Sequence, residues 1–151
     1  LLKELKISKG IGIDISSRAI KIAIANSKKM NIFDRSIFKV SKMENFCVGK
    51  YDLIVSNPPY IPLRDLKNLS KDVRSFEPSI ALNGGIDGLD LIKKVIYKSN
   101  ELLKRGGLLA MEIGNQQYMK VSRLLKRSGY REMDKKFDYD CNVRCIISTK
   151  M

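Results

Sequence analysis

One stretch constrains this chain more than any other: Tyr51-Asp52-Leu53-Ile54-Val55-Ser56 runs straight into Asn57-Pro58-Pro59-Tyr60. The apolar run between Asp52 and Ser56 reads as a buried parallel strand, and the two prolines stop its ladder because neither has an N–H to donate. The strand therefore ends in a stiff loop. Asn57 stands at its carboxyl end, where open α/β sheets collect their ligands. Pro58 holds Asn57 extended, and the rings leave the carbonyls of Asn57 and Pro58 short of local donors. The result is a fixed set of acceptors beside an aromatic ring.

Such a set suits methyl transfer to a planar nitrogen. An amide or exocyclic amino nitrogen is a poor nucleophile because its lone pair is delocalised, so positioning must supply what basicity cannot. The Asn57 side-chain oxygen and the Pro58 carbonyl can each accept one N–H, while Tyr60 packs on the flat group and the lone pair points at an electrophilic methyl. The stretch resembles motif IV of the S-adenosylmethionine-dependent amino-methyltransferases. The plainer alternative is a strand followed by a proline-stiffened turn without chemistry.

Composition narrows the field. At 151 residues, 44% hydrophobic and 30% charged, the chain reads as one globular domain over residues 1–151. It has no apolar run near the ~18 residues of a membrane span, and its first ten residues lack the shape of a signal peptide, so a cytoplasmic location without membrane contact is expected. The absence of histidine excludes a histidine base or a histidine-ligated metal, and no metal site is expected. Cys47, Cys141 and Cys145 have no paired ligand spacing and read as small apolar fillers. The net charge of +13 is spread along the whole chain. It is read as solvated faces rather than a nucleic-acid surface, and a nucleic-acid partner is not expected.

Taken in order, Leu1–Lys6 reads as the last turns of a helix closed by Gly10. Ile11–Ile15 is a short strand, and Ser16 caps a helix through Ala19, Ile20, Ala23 and Ile24. Asp14, an acid at a strand tip, is the candidate for the ribose hydroxyls of a cofactor. Ser36–Val40 is the next strand, with a loop over residues 41–46 behind it. After the Asn57–Tyr60 motif, residues 61–81 are too long for a structureless link unless they work as a lid or substrate loop. Gly84–Gly88 turns into a helix bearing Leu89, Ile92, Ile96 and Leu103, which Gly106-Gly107 ends. Leu108–Ile113 is a further buried strand. A helix with Val121, Leu124 and Leu125 closes at Gly129, and 135–140 with 143–149 form a terminal strand pair around Asp140-Cys141-Asn142.

The whole pattern, from about Gly10 to the C-terminus, resembles the release-factor glutamine methyltransferase family. The resemblance rests on Asn57–Tyr60, on Asp72–Pro78 and on Ala81-Leu82-Asn83-Gly84-Gly85-Ile86-Asp87-Gly88-Leu89. It implies an α/β fold: a Rossmann-like class I methyltransferase sheet with an antiparallel C-terminal strand pair, here without its first strand, in a truncated S-adenosylmethionine-dependent domain. It further implies methyl transfer to the glutamine amide of the Gly-Gly-Gln loop of a peptide chain release factor. Asn57, Pro58 and Tyr60 would then be catalytic, Asn57, Pro58, Pro59 and Tyr60 would bind substrate, and Asp14 and Asn57 would bind S-adenosyl-L-methionine. The Asp72–Pro78 loop weighs against the alternative of a nucleic-acid amino-methyltransferase; a non-catalytic remnant or partner fragment of the same fold is the other alternative. Ser41 and Lys42 stand where the family carries an acid and an aromatic for the adenine, and the family's glycine-rich cofactor loop does not occur in this chain. Weak cofactor binding by this chain alone is therefore expected, with a separate N-terminal polypeptide as a candidate supplier of the first strand and loop.

Overall fold

A computed structural model describes the backbone of residues 1–151 and every side chain except those of Val73, Arg74 and Ser75. It forms two compact units, residues 1–47 and 48–151. In the first, β1 (Gly10–Asp14) pairs in parallel with β2 (Ser36–Val40), Gly10 opposite Ser36 and Asp14 opposite Val40. Parallel neighbours need a crossover, and α1 (Ser17–Lys29) supplies it. The Ser16 hydroxyl accepts from the Ala19 N–H, the capping bond its sequence position promises, and Lys28 and Lys29 sit in the last turn, where the helix dipole favours cations.

The segment before β1 is not a helix. Leu5 N–H donates to the Leu1 carbonyl, but only isolated turns form, and the Arg35 guanidinium instead binds the carbonyls of Leu2, Leu5 and Ser8 at 2.8–3.0 Å. Six residues are too few to recover the cost of helix nucleation, and a three-pronged donor offers their carbonyls a better partner.

The second unit is built on a sheet in the order β3 (Tyr51–Ser56), β4 (Leu103–Glu112), β6 (Val143–Lys150), β5 (Tyr130–Phe137). β3 runs parallel to β4; β6 is antiparallel to both β4 and β5. The terminal strand pair is as expected, with β5 beginning earlier, at Tyr130. Helices α4 (Asp90–Leu102) and α5 (Tyr118–Arg127) send Ile92, Val95, Ile96, Val121 and Leu125 into a core with Leu109, Met111, Ile113, Tyr130 and Ile146. Each such fully buried aliphatic side chain contributes on the order of 1.5–3 kcal/mol. Gly129, at φ 80°, closes α5 as read.

Three further expectations need correction. β3 is paired on one side only and is half-buried, with Val55 56% exposed, so the run read as a buried strand is a sheet edge. Gly106-Gly107 does not end α4, which stops at Leu102. The two glycines lie within β4, where three residues of β3 (Tyr51 to Leu53) span six of β4 (Leu103 to Leu108) in a bulge that the positive φ of Gly106 makes possible. Leu103 is buried as its helical spacing required, but it is buried as a strand residue. Residues 61–81, read as too long for a structureless link, carry short elements of their own. They hold a 3₁₀ segment (Leu63–Asn68) and two short helices, α2 (Lys71–Phe76) and α3 (Ser79–Leu82). Their ends are stapled together, because Ile61 N–H donates to the Leu82 carbonyl and Gly84 N–H to the Ile61 carbonyl. The cysteines are not core fillers: Cys47 and Cys141 are exposed and Cys145 is half-buried. Among the described residues, no helix is long and apolar enough to cross a membrane.

Candidate active site

Because β3 and β4 are parallel, their carboxyl ends lie on the same edge of the sheet, and Ser56 opposite Met111 makes Asn57 and Glu112 neighbours there. The Asn57–Tyr60 loop leaves β3 at this edge with Asn57 exposed, Pro58 buried, and Pro59 and Tyr60 half-buried. Among the described residues, neither the Asn57 side chain nor the Pro58 carbonyl has a hydrogen-bond partner, so both acceptors named from the sequence are available. Asp72 to Pro78 follows this loop in the chain, but the part of that stretch formed by the side chains of Val73, Arg74 and Ser75 lies outside the described residues.

Tyr60 is held from two sides. Its hydroxyl donates to Glu112 Oε1 at 3.1 Å and accepts from Arg144 at 2.8 Å, and the Arg144 guanidinium carbon lies 5.3 Å from the ring centroid. Arg144 also reaches Glu112 at 3.4 Å and Asp138 at 3.8 Å, which brings two carboxylates to one guanidinium. The ring is thus a fixed wall, with one face given to a cation.

The Tyr60 carbonyl is held by Gln117, a side chain only 7% exposed, whose Nε2 donates to it at 2.9 Å. Close by, Asp87 turns the chain into α4: its Oδ1 accepts the Leu89 N–H at 3.0 Å, and that bond, helped by Lys93, holds its carboxyl below the usual range. Burial, backed by the nearby Glu112 charge, pushes the Cys145 thiol up.

The first unit carries the other predicted residue. Asp14 ends β1, exposed, with one carboxylate oxygen accepting the Ser16 N–H at 2.7 Å and no bond to the other among the described residues. Its carbonyl accepts the Ser41 N–H, and at the ends of β1 and β2 lies an open concavity of about 340 Å³ lined by Ile15, Val40, Ser41, Lys42 and Asn45. Asp14 has a free oxygen for a ribose diol, and Ile15 and Val40 give apolar contact for a flat base. Ser41, whose hydroxyl bonds the Lys42 carbonyl, and Lys42 supply neither a carboxylate nor an aromatic face. The residues fit an adenosine group, through fewer polar contacts than an acid and an aromatic would give.

Glu112, Gln117, Arg144 and Asp138 escaped the sequence reading. Glu112 had a signal, since it ends a strand parallel to β3 and falls under the same carboxyl-end rule that marked Asn57. Gln117 and Arg144 had none, because what ties them to the acceptor loop is a bond to Tyr60, 57 and 84 residues away.

The architecture is that of the class I methyltransferases: a methyltransferase from Pyrococcus furiosus superimposes with a TM-score of 0.67 at 16% identity, over 94% of this chain and 62% of that one. The sequence profile of the Eco57I restriction-modification methylases matches residues 9–150, and the chain belongs to that family. Among curated proteins, it is 38% identical over 141 residues to the release factor glutamine methyltransferase of Rhodospirillum rubrum, covering 93% of this chain and 43% of the relative. It is 40% identical over 107 residues to the ribosomal protein uL3 glutamine methyltransferase of Francisella tularensis, covering 70% of this chain and 34% of the relative. The chain thus spans about half the length, or less, of the curated relatives it matches, and the resemblance read from the sequence holds across nearly all of it.

Proposed function

We propose that this chain is the methyl-transferring part of an S-adenosylmethionine-dependent enzyme that modifies the side-chain amide nitrogen of a protein glutamine, with a peptide chain release factor as substrate. The observation that carries this reading is the pair of unpartnered acceptors, Asn57 Oδ1 and the Pro58 carbonyl, on a loop whose tyrosine is held by Glu112, Arg144 and Gln117. A primary amide presents two N–H donors in one plane. Two fixed acceptors orient that plane, and the fixed Tyr60 ring confines it from the side. The cofactor, when bound, supplies an electrophilic methyl group. The nitrogen would take that methyl as its bond to the cofactor's sulfur breaks, and would release one of its two protons to solvent, so the scheme calls on no side-chain base.

Asp14 would hold the ribose hydroxyls, with Ile15 and Val40 against the base. Among the described residues β1 is paired only with β2, and β3 only with β4, so each offers an edge to a further strand. Chain preceding Leu1, or a separate polypeptide, would be its source.

The test is transfer of labelled methyl from the cofactor, by the chain alone and with the preceding segment of its relatives added, to a release-factor domain and to adenine-containing DNA. Label on glutamine supports the reading; label on adenine with none on glutamine overturns it.

A further inference from the structure

The loop that carries the acceptors has few free torsions of its own. Its N-terminal side is fixed by the β3–β4 ladder up to Ser56, and the rings of Pro58 and Pro59 lock two φ angles. Whether Asn57 and Pro58 keep one geometry therefore depends on what fixes the loop at Tyr60.

Gln117 does this with every polar atom of its side chain. Oε1 accepts the Gly114 N–H at 2.8 Å, while Nε2 donates to the Tyr60 carbonyl at 2.9 Å and to the Gly88 carbonyl at 3.2 Å. One buried carboxamide thus joins the acceptor loop, the turn before α4 and the turn before α5. The glycines around it leave room for nothing else: a Cβ on Gly84 would lie 2.7 Å from Tyr60 Cα, one on Gly114 2.9 Å from the Tyr60 ring, and Gly88 combines a φ of 75° with close approach to the Tyr60 carbonyl. A carboxylate in this place would set oxygen against two carbonyls, and a shorter amide would not reach all three partners.

We propose that Gln117 is a positioning residue for the reaction: it does not touch the substrate nitrogen, but it fixes the Tyr60 carbonyl and, through the two prolines, the direction of the Asn57 and Pro58 acceptors. The catalytic half of this statement rests on the glutamine-methylation reading above; the structural half does not.

Amide hydrogen exchange of the chain with Gln117→Glu and Gln117→Asn, beside the parent, tests it. Ile61, Leu63 and Gly84 report on the loop, since their N–H groups bond the Leu82, Gly85 and Ile61 carbonyls; Met111 and Ile146, both buried, report on the β4–β6 core. The expected result is exchange at least about tenfold faster at the first three, the scale of one or two lost hydrogen bonds, with the core pair unchanged. In Gln117→Glu the loss should shrink as pH falls, because a protonated carboxyl can again donate to the Tyr60 carbonyl, whereas a packing defect would persist. Unchanged exchange at Ile61, Leu63 and Gly84, or loss of the whole fold in both variants, overturns the proposal. In the protein that turns over substrate, kcat should fall at least tenfold with KM for the cofactor unchanged. A parent that methylates no glutamine in any form would sink the reading of the reaction and leave the exchange result to decide the role of Gln117.

Discussion

The two units divide chemistry and stability unequally. Residues 48–151 hold the main apolar cluster, from Leu89 to Ile146, together with the Asn57–Tyr60 loop and its supports. Residues 1–47 hold Asp14 and the concavity beside it on a two-stranded sheet and one helix, where Ile20 and Phe46 are the only buried large apolar side chains and Ile7, Ile15, Ile22, Ile37 and Val40 are exposed. A two-stranded sheet is marginal by itself, and a unit of under 50 residues buries too small a fraction of its surface to be secure. The acceptor site is therefore set in well-packed surroundings, while the candidate cofactor site lies on a small unit with little buried apolar surface.

The comparison breaks if the units respond alike to core truncation. Ile92→Ala, at a fully buried position of α4, should cost about 2–5 kcal/mol and lower the main thermal transition. Ile20→Ala should leave that transition in place and show only as faster exchange and easier proteolysis within residues 1–47. Equal shifts of the main transition in both variants would mean that the chain melts as one body.

Asn57→Ala probes function on the stable side. Asn57 is exposed and bonds nothing among the described residues, so thermal stability should hardly change, whereas turnover in the complete enzyme should fall about 100-fold, the scale of one lost orienting acceptor. Near-normal turnover would remove Asn57 from the mechanism. Tyr60→Phe should affect both, because it leaves Glu112 and Arg144 without the hydroxyl that joins them.

What the sequence made legible follows the same division between local and distant causes. β2 was read at its observed bounds, and α1 with its Ser16 cap, because alternation and capping are local signals. The Asn57–Tyr60 loop was legible because proline acts on its own backbone. The edge position of β3 could not be read from Leu-Ile-Val itself, which looks the same whether one neighbour or two flank it, but it follows from the missing first strand that the resemblance implies. Leu103 was assigned to the wrong element because an apolar residue one position beyond Leu102 fits either the end of a helix or the start of a strand. The exposed cysteines were misplaced because residue type sets only an average burial.

Acid should weaken the second unit through identifiable carboxylates. Asp87, Glu101 and Asp134 are all held below their ordinary range, by the Leu89 N–H, Lys98 and Lys136 respectively. For a lowered carboxylate, the native state binds the proton less tightly than the unfolded chain. Its contribution is complete above the unfolded value, near 4, and is lost as pH falls through the lower folded value. Urea midpoints of the main transition should fall below pH 4, and Asp87→Asn, which keeps an oxygen for the Leu89 N–H, should flatten part of that dependence. A midpoint independent of pH in this window would count against all three pairings.

The smallest effect comes from two buried serines of the second unit. Ser99, on α4, donates to the Ile96 carbonyl at 3.0 Å, so its 2.9 Å contact with Tyr130 must be a bond that the phenol donates. Ser148, on β6, is equally buried, yet its hydroxyl has no partner among the described residues. Truncation removes something different in each case. Ser99→Ala strands the Tyr130 hydroxyl in the core and should cost about 1–2 kcal/mol, whereas Ser148→Ala discards a polar group that was never paid for and leaves a gap of one atom. Ser148→Ala should therefore be neutral, or stabilising by at most about 1 kcal/mol, a rise of no more than ~4 °C in a protein of this size. A cost equal to that of Ser99→Ala would show that the Ser148 hydroxyl is bonded in solution, to an ordered water or to a group that moves to meet it.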